Sequence, residues 1–152
     1  MEVTIENIPA YRIAYIRRIG PYGIDNVQTM QDLKEWAKSN NLLNGESIIL
    51  GIAQDNPQTT KPEDCRYDTC IVVSKEYSKT DDSAKEGSTA GGKYAVFKID
   101  HTAEAVQKAW MDIFPELARQ GYVLDEARPI IERYAVQMVN DHYCEICVPV
   151  RY

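Results

Sequence analysis

The feature that most constrains this chain is an internal repeat. Tyr67-Asp68-Thr69-Cys70-Ile71-Val72-Val73 lies over Cys144-Glu145-Ile146-Cys147-Val148-Pro149-Val150, so that an acid and a cysteine recur in step. Ile13-Ala14-Tyr15-Ile16 likewise lies over Tyr94-Ala95-Val96-Phe97. A chain built from two copies of one unit is expected to fold that unit twice and to pack the copies about a pseudo-two-fold axis.

Hydrophobic patterning supplies the elements of each copy. The run from Arg12 to Ile19, rich in Ile, Tyr and Ala, reads as a strand that stops at Gly20-Pro21-Tyr22-Gly23. Val27, Met30, Leu33, Trp36 and Ala37 then recur at helical spacing behind the caps Asp25 and Asn26, and Asn44-Gly45 closes that element. Two strands follow, Ser47 to Ala53 and Tyr67 to Ser74. From Lys75 to Gly92 the chain is polar and charged without apolar periodicity, as an exposed connection is.

The second copy repeats the order. A strand from Lys93 to Ile99 precedes a helix opened by Thr102, with Val106, Ala109, Trp110, Ile113, Phe114 and Leu117 on one stripe. Pro115 is expected to kink this helix or to begin a separate last turn, and Gly121 to end it. Strands at about Ile130 to Met138 and Cys144 to Val150 complete the copy. The expectation is one α+β domain over residues 1–152, built from duplicated strand-helix-strand-strand modules at about 1–78 and 88–152 that share an antiparallel sheet.

Charge excludes some functions. A net charge of −6 and a pI near 4.9 repel polyphosphates, and no segment gathers enough Lys and Arg to reverse that locally, so direct nucleic-acid binding is not expected. Acidic residues stand near the N-terminus where a signal peptide is basic, and charges interrupt every apolar run there, so no membrane segment is expected. Four cysteines in no dense framework fit a reduced compartment, and the expected location is the cytoplasm. Ten tyrosines against two phenylalanines suit surfaces that are apolar yet need a polar handle.

Strand alternation puts Glu145, Cys147 and Pro149 on one face and Cys144, Ile146, Val148 and Val150 on the other, which reads as the core face. With a two-residue hairpin at Asn140 and Asp141, Val136 faces Glu145, Tyr134 faces Cys147 and Glu132 faces Pro149. Two glutamates and a tyrosine then converge, with Glu145 the deeper acid. A carboxylate among apolar and tyrosine side chains is poorly solvated and favours a cationic partner. The alternatives are that these acids are solvated, or pair with Arg133, Arg151 or Lys98; the same register leaves Arg133 on the core face. Cys144 and Cys147 point to opposite faces of one strand, so no metal is expected there, and no phosphate loop, nucleophile elbow or dinucleotide fingerprint implies a cofactor.

Several short segments carry a resemblance: Ile13-Ala14-Tyr15-Ile16-Arg17 with Gly20-Pro21-Tyr22, Gly51-Ile52 with Asp55-Asn56-Pro57, Arg66-Tyr67-Asp68-Thr69-Cys70, Gly91-Gly92-Lys93-Tyr94-Ala95-Val96, a helix carrying Trp110, the Glu132-Arg133-Tyr134 strand, and the closing Cys144-Glu145-Ile146-Cys147-Val148-Pro149-Val150. In this order the chain resembles the GyrI-like family nearly end to end. That family includes a gyrase-inhibitory protein and the effector-binding halves of MerR- and AraC-type multidrug-sensing regulators. The resemblance implies a central ligand channel that takes bulky aromatic and cationic compounds. By it, Glu132, Tyr134 and Glu145 match the ligand-binding positions, and Tyr22, Tyr67 and Trp110 are the aromatic residues placed at the channel; Trp110 could equally be a core helix residue. Cys147 stands where an aromatic residue would be plausible.

The family strand begins within the first few residues, so the chain is expected to work without a DNA-binding domain of its own. The leading expectation is a stand-alone binding domain for amphipathic aromatic or cationic molecules. Two alternatives come with the resemblance: a hydrolase of reactive cyclopropane-bearing genotoxins using a channel glutamate and tyrosine, and an interaction protein whose partner is DNA gyrase or a regulator.

Overall fold

The computed structural model describes residues 2–78 and 82–151. In chain order the elements are β1 (Val3–Ile8), β2 (Arg12–Ile19), α1 (Asp25–Ser39), β3 (Ile48–Ala53), a 3-10 turn (Pro62–Asp64), β4 (Arg66–Val72), β5 (Lys85–Ser88), β6 (Gly92–Asp100), α2 (Ala103–Arg119), β7 (Val123–Leu124), β8 (Ile131–Ala135), α3 (Val136–Asn140) and β9 (Tyr143–Arg151). Every pairing is antiparallel, and the strands run in the order β1-β6-β9-β8-β3-β4-β2-β5, with β7 beside β9.

The repeat and the ladder agree residue for residue. Ile13 pairs with Val72; Tyr94, which the repeat lays over Ile13, pairs with Pro149, which it lays over Val72. Cys70 pairs with Leu50 and Cys147 with Ile131, so Leu50 corresponds to Ile131 and Gly51 to Glu132. Gly51 and Glu132 are also partners of each other across the β3–β8 seam. The pseudo-two-fold axis therefore passes between them.

The leading strands are exchanged: β1 pairs with β6 of the second copy, and β5 pairs with β2 of the first. Short links then join distant strands of the sheet, residues 9–11 from β1 to β2 and residues 89–91 from β5 to β6. Only a sheet curled into a roll satisfies both. The two links touch: the Tyr11 amide donates to Thr89 Oγ1 at 2.8 Å, and a Cβ on Gly91 would fall 2.8 Å from the Ala10 amide nitrogen. Glycine is required there by close backbone approach.

Both faces of the sheet are buried in consequence. Inside the roll lie Ile13, Leu50, Ile52, Cys70, Tyr94, Val96, Ile131 and Cys147. Outside, α1 packs Leu33, Trp36 and Ala37 on Ala14, Ile49 and Ile71, while α2 packs Ala109, Ile113 and Leu117 on Ala95, Phe97, Ile146 and Val148. Two-sided burial explains why central strands such as SIILGIA read as continuous apolar runs.

Local signals place the helices. Thr102 caps α2, its Oγ1 accepting the Ala105 amide at 3.1 Å, and α2 runs unbroken past Pro115 to Arg119 before Gly121 turns the chain at φ 82°. In α1 the expected caps Asp25 and Asn26 are the first helical residues instead, with Asp25 favourably placed at the positive end of the helix dipole. That helix ends at Ser39, before Asn44-Gly45. Among the described residues, no helix is long and apolar enough to cross a membrane.

Three further expectations need correction. The strand expected to reach Met138 ends at Ala135, and α3 occupies the place of the two-residue hairpin. The resulting register pairs Ile131 with Cys147, Glu132 with Ile146 and Arg133 with Glu145. The Lys75 to Gly92 connection contains β5, whose Gly87 and flanking charges hid it from the apolar pattern; residues 79–81 of that connection lie outside the described residues.

Candidate functional site

A one-residue change of register moves every side chain to the other face of a strand. Cross-strand partners share a face, so Glu132, opposite Ile146, stands with the helices, whereas Glu145, opposite Arg133, belongs to the face lining the roll. The two glutamates therefore do not converge. On β8, Tyr134 follows Glu132 on the helix side; on β4, Tyr67 reaches the same spot from across β3.

Over the β3–β8 seam lies a cavity of about 1010 Å³, between α1 and α2 with α3 at one end. Its floor includes Ile49, Ala53, Tyr67, Glu132 and Tyr134; α1 contributes Val27, Met30 and Lys34, and α2 contributes Val106, Gln107 and Trp110. Tyr22 joins from the turn after β2, its ring edge-on to Tyr67 with centroids 6.3 Å apart. The Tyr22 hydroxyl accepts the Asp55 amide at 3.1 Å and donates to the Arg66 carbonyl at 2.8 Å, which fixes the ring on the cavity wall. His101 stands edge-on to Tyr134 at 5.7 Å.

Glu132 is the chemical centre. Tyr67 donates to Oε1 at 3.1 Å and Tyr134 donates to Oε2 at 2.9 Å. Among the described residues no basic side chain forms an ion pair with it. By accessible surface the residue is half-buried, because the cavity opens onto it, and the cavity wall still removes much of the water that would solvate its charge. Desolvation accordingly raises its pKa, and the hydrogen bonds from Tyr134 and Tyr67 pull it partway back. Both tyrosines are pushed up in turn, by burial first and by the neighbouring negative charge second.

Gly51 makes this arrangement sterically feasible. A Cβ at Gly51 would collide with the Tyr67 hydroxyl and fall 3.0 Å from Glu132 Oε1. A strand glycine without a side chain thus leaves the space in which the tyrosine and the acid meet.

Glu145 has a different setting. Arg133 Nε donates to Glu145 Oε1 at 2.9 Å, and the Arg133 Nη atoms donate to Glu6 at 3.2 and 3.0 Å. Burial opposes the guanidinium charge, but the two carboxylates outweigh it and hold its pKa above the ordinary value. Asp68, which the repeat lays under Glu145, is likewise engaged: Arg17 holds it through two bonds of 2.7 and 2.8 Å, and Gln54 adds a third at 3.0 Å. The acids that recur in step are thus both arginine-paired.

Of the six residues singled out by sequence, Tyr22, Tyr67, Trp110, Glu132 and Tyr134 line the cavity and Glu145 does not. Lys34 and His101 line it too and were not anticipated. Lys34 follows Val27 and Met30 at helical spacing, a continuation that apolar periodicity alone cannot register. Cys144 faces α2 and Cys147 faces the roll interior, and burial raises both thiols to about 12. A second groove of about 680 Å³ runs along α2, where Lys108 is bridged to Asp112 and Arg119 to Glu116.

A duplicated antiparallel roll with a cavity over its seam, floored by an acid and tyrosines, defines a small-molecule-binding domain. The chain belongs to the GyrI-like family, whose model, the GyrI-like small molecule binding domain, matches residues 1–151. YosT of the SPbeta prophage of Bacillus subtilis (strain 168), named as a candidate transcriptional regulator, is 43% identical over 99% of this chain and 100% of its own length. A DNA gyrase inhibitor of Cronobacter turicensis is 28% identical over 96% of this chain and 93% of its own. Among solved structures, SAV2435 bound to tetraphenylphosphonium superposes with a TM-score of 0.61 at 17% identity, covering 99% of this chain and 94% of that one.

Proposed function

We propose that this domain binds amphipathic aromatic cations in the cavity over the β3–β8 seam, with Glu132 as the counter-charge and Tyr22, Tyr67, Trp110 and Tyr134 as the aromatic wall. The observation that carries the reading is the isolation of Glu132: a desolvated carboxylate with two hydroxyl donors and no ion pair among the described residues. A charge in that condition gains most from a ligand that brings the missing cation. The aromatic faces add cation–π attraction of about 0.5–2 kcal/mol. A protein of the same fold is named as bound to tetraphenylphosphonium, a delocalised aromatic cation, which supports the ligand class.

The test compares tetraphenylphosphonium with neutral triphenylphosphine oxide by calorimetry. Glu132→Gln should weaken the cation by about 1–3 kcal/mol and leave the neutral compound unchanged. Equal losses for both compounds would remove charge from the account. A second reading, action on DNA gyrase, is favoured by the name of the Cronobacter relative. It expects the purified protein to alter supercoiling by gyrase, and an unaltered supercoiling rate at excess protein would dismiss it.

A further inference from the structure

We propose that Gly51 is the positioning residue of this site: the empty space at its Cα lets Tyr67 hold Glu132 in the orientation that a cation meets. The inference rests on the cation-binding reading above, and it adds a residue that need not touch the ligand.

Glycine in the middle of a buried strand needs a reason, since it weakens the strand and packs nothing. Backbone conformation does not provide one, because Gly51 has no positive φ and sits in regular ladder positions opposite Thr69 and Glu132. Space does. The Tyr67 hydroxyl occupies the volume a Cβ would fill, and Glu132 Oε1 lies at its margin. The obstructing atom is the hydroxyl at the end of a ring that is itself buried and wedged edge-on by Tyr22, so it cannot swing aside freely.

The repeat sharpens the point. Gly51 and Glu132 occupy equivalent positions of the two copies and are also partners across the pseudo-two-fold axis. Two acids there would stand directly opposite each other, where like charges repel. One copy therefore supplies the carboxylate and the other supplies room for its hydrogen-bonding tyrosine.

The experiment uses Gly51→Ala, Tyr67→Phe and the double variant in the full chain. Three quantities are read: tetraphenylphosphonium affinity by calorimetry, the titration midpoint of the Glu132 carboxyl by carbon-detected NMR, and the melting temperature. Gly51→Ala should lower affinity about tenfold, the scale of one hydrogen bond to a charged group. It should also move the Glu132 midpoint further up, because the Tyr67 bond that holds it down is displaced. In the Tyr67→Phe background the colliding oxygen is gone and only the lesser contacts with the ring carbon at 3.2 Å and with Glu132 Oε1 at 3.0 Å remain, so Gly51→Ala should change affinity and midpoint much less than it does in the wild-type background.

A merely structural glycine would lower the melting temperature equally in both backgrounds and leave the midpoint in place. Fully additive losses in the double variant, or a Gly51→Ala protein within twofold of wild type in affinity and with an unmoved midpoint, would overturn the assignment. Wild-type protein that fails to bind tetraphenylphosphonium would defeat the cation-binding reading alone, since the carboxyl titration still decides the role of Gly51.

Discussion

Glu132 and Glu145 lie on adjacent strands of one sheet, close enough in the ladder that one faces Ile146 and the other faces Arg133. Strand alternation sends them to opposite faces. Inside the roll, Glu145 meets a permanent cation, a guanidinium that it shares with Glu6. On the helix side, Glu132 meets two hydroxyls, which satisfy its lone pairs without neutralising it. Burial of an acid is thus a poor marker of a binding site by itself. On the proposed reading, the marker is burial with hydrogen bonds supplied and counter-charge withheld.

The largest expected effect tests the structural half of this contrast. Arg133 is 6% exposed, and replacing it by Leu removes the guanidinium bonded to Glu145, leaving only the exposed Lys98, its cross-strand partner on β6, within reach. Breaking such a pair from one side typically costs about 3 kcal/mol. Thermal unfolding of Arg133→Leu should show that loss, while the folded protein keeps its tetraphenylphosphonium affinity within about twofold. A variant of unchanged stability and lost affinity would exchange the roles of the two faces.

Glu132 should show the opposite pattern in stability. Its folded pKa is raised by desolvation, so the folded state holds a proton that the unfolded state has released in the interval between the ordinary carboxyl value and the raised one. Stability contributed by this group is therefore present below that interval and lost as pH rises through it. Glu132→Gln, which cannot ionise, should be more stable than wild type at neutral pH, with the difference vanishing in acid. Urea titrations at several pH values measure this, and a Gln variant less stable than wild type at pH 7 would contradict the unpaired state of the acid.

Cation affinity runs the other way with pH. Tetraphenylphosphonium has no titratable proton, so its binding should weaken as pH falls through the raised Glu132 midpoint and the carboxylate is neutralised. Glu132→Gln should flatten the profile, and Glu145→Gln should leave it intact. A profile flattened by Glu145→Gln instead would return the counter-charge to the roll interior.

How much of this was legible in the sequence divides along the same line. The repeat was legible because strand pairs conserve their mutual register: Ile13 with Val72 and Tyr94 with Pro149 fall at matching steps of the two ladders. The cavity tyrosines and Glu132 were legible through family segments. The pairing of β8 with β9 was not, because Val136 to Asn140 is a five-residue helix made of Val, Gln, Met and Asn, which carries no period long enough to separate from a strand end. That misassigned turn, together with the family resemblance, placed Glu145 with Glu132, and the turn left Arg133 in an unexplained core position. Gly51 was visible as a signature residue, but its purpose depends on Tyr67 arriving from another strand, which no local pattern encodes.

The smallest expected effect concerns the wall opposite the acid. Lys34 follows Val27 and Met30 on the stripe of α1 that faces the cavity, half-buried, and no ion pair engages it among the described residues. An aromatic cation drawn to Glu132 therefore enters a cavity that also carries a positive charge. The ammonium is partly in water on a flexible stem, so the repulsion is screened and small, about 0.2–0.5 kcal/mol at low salt. Lys34→Gln should strengthen tetraphenylphosphonium binding about twofold at low ionic strength, and the gain should shrink as salt is added, because the lost repulsion was already screened. Neutral triphenylphosphine oxide should be indifferent to the change. If Lys34→Gln instead weakens the cation, the lysine is making a favourable contact, and the ligand class must include an anionic or acceptor group that reaches α1 while its cationic end lies at Glu132.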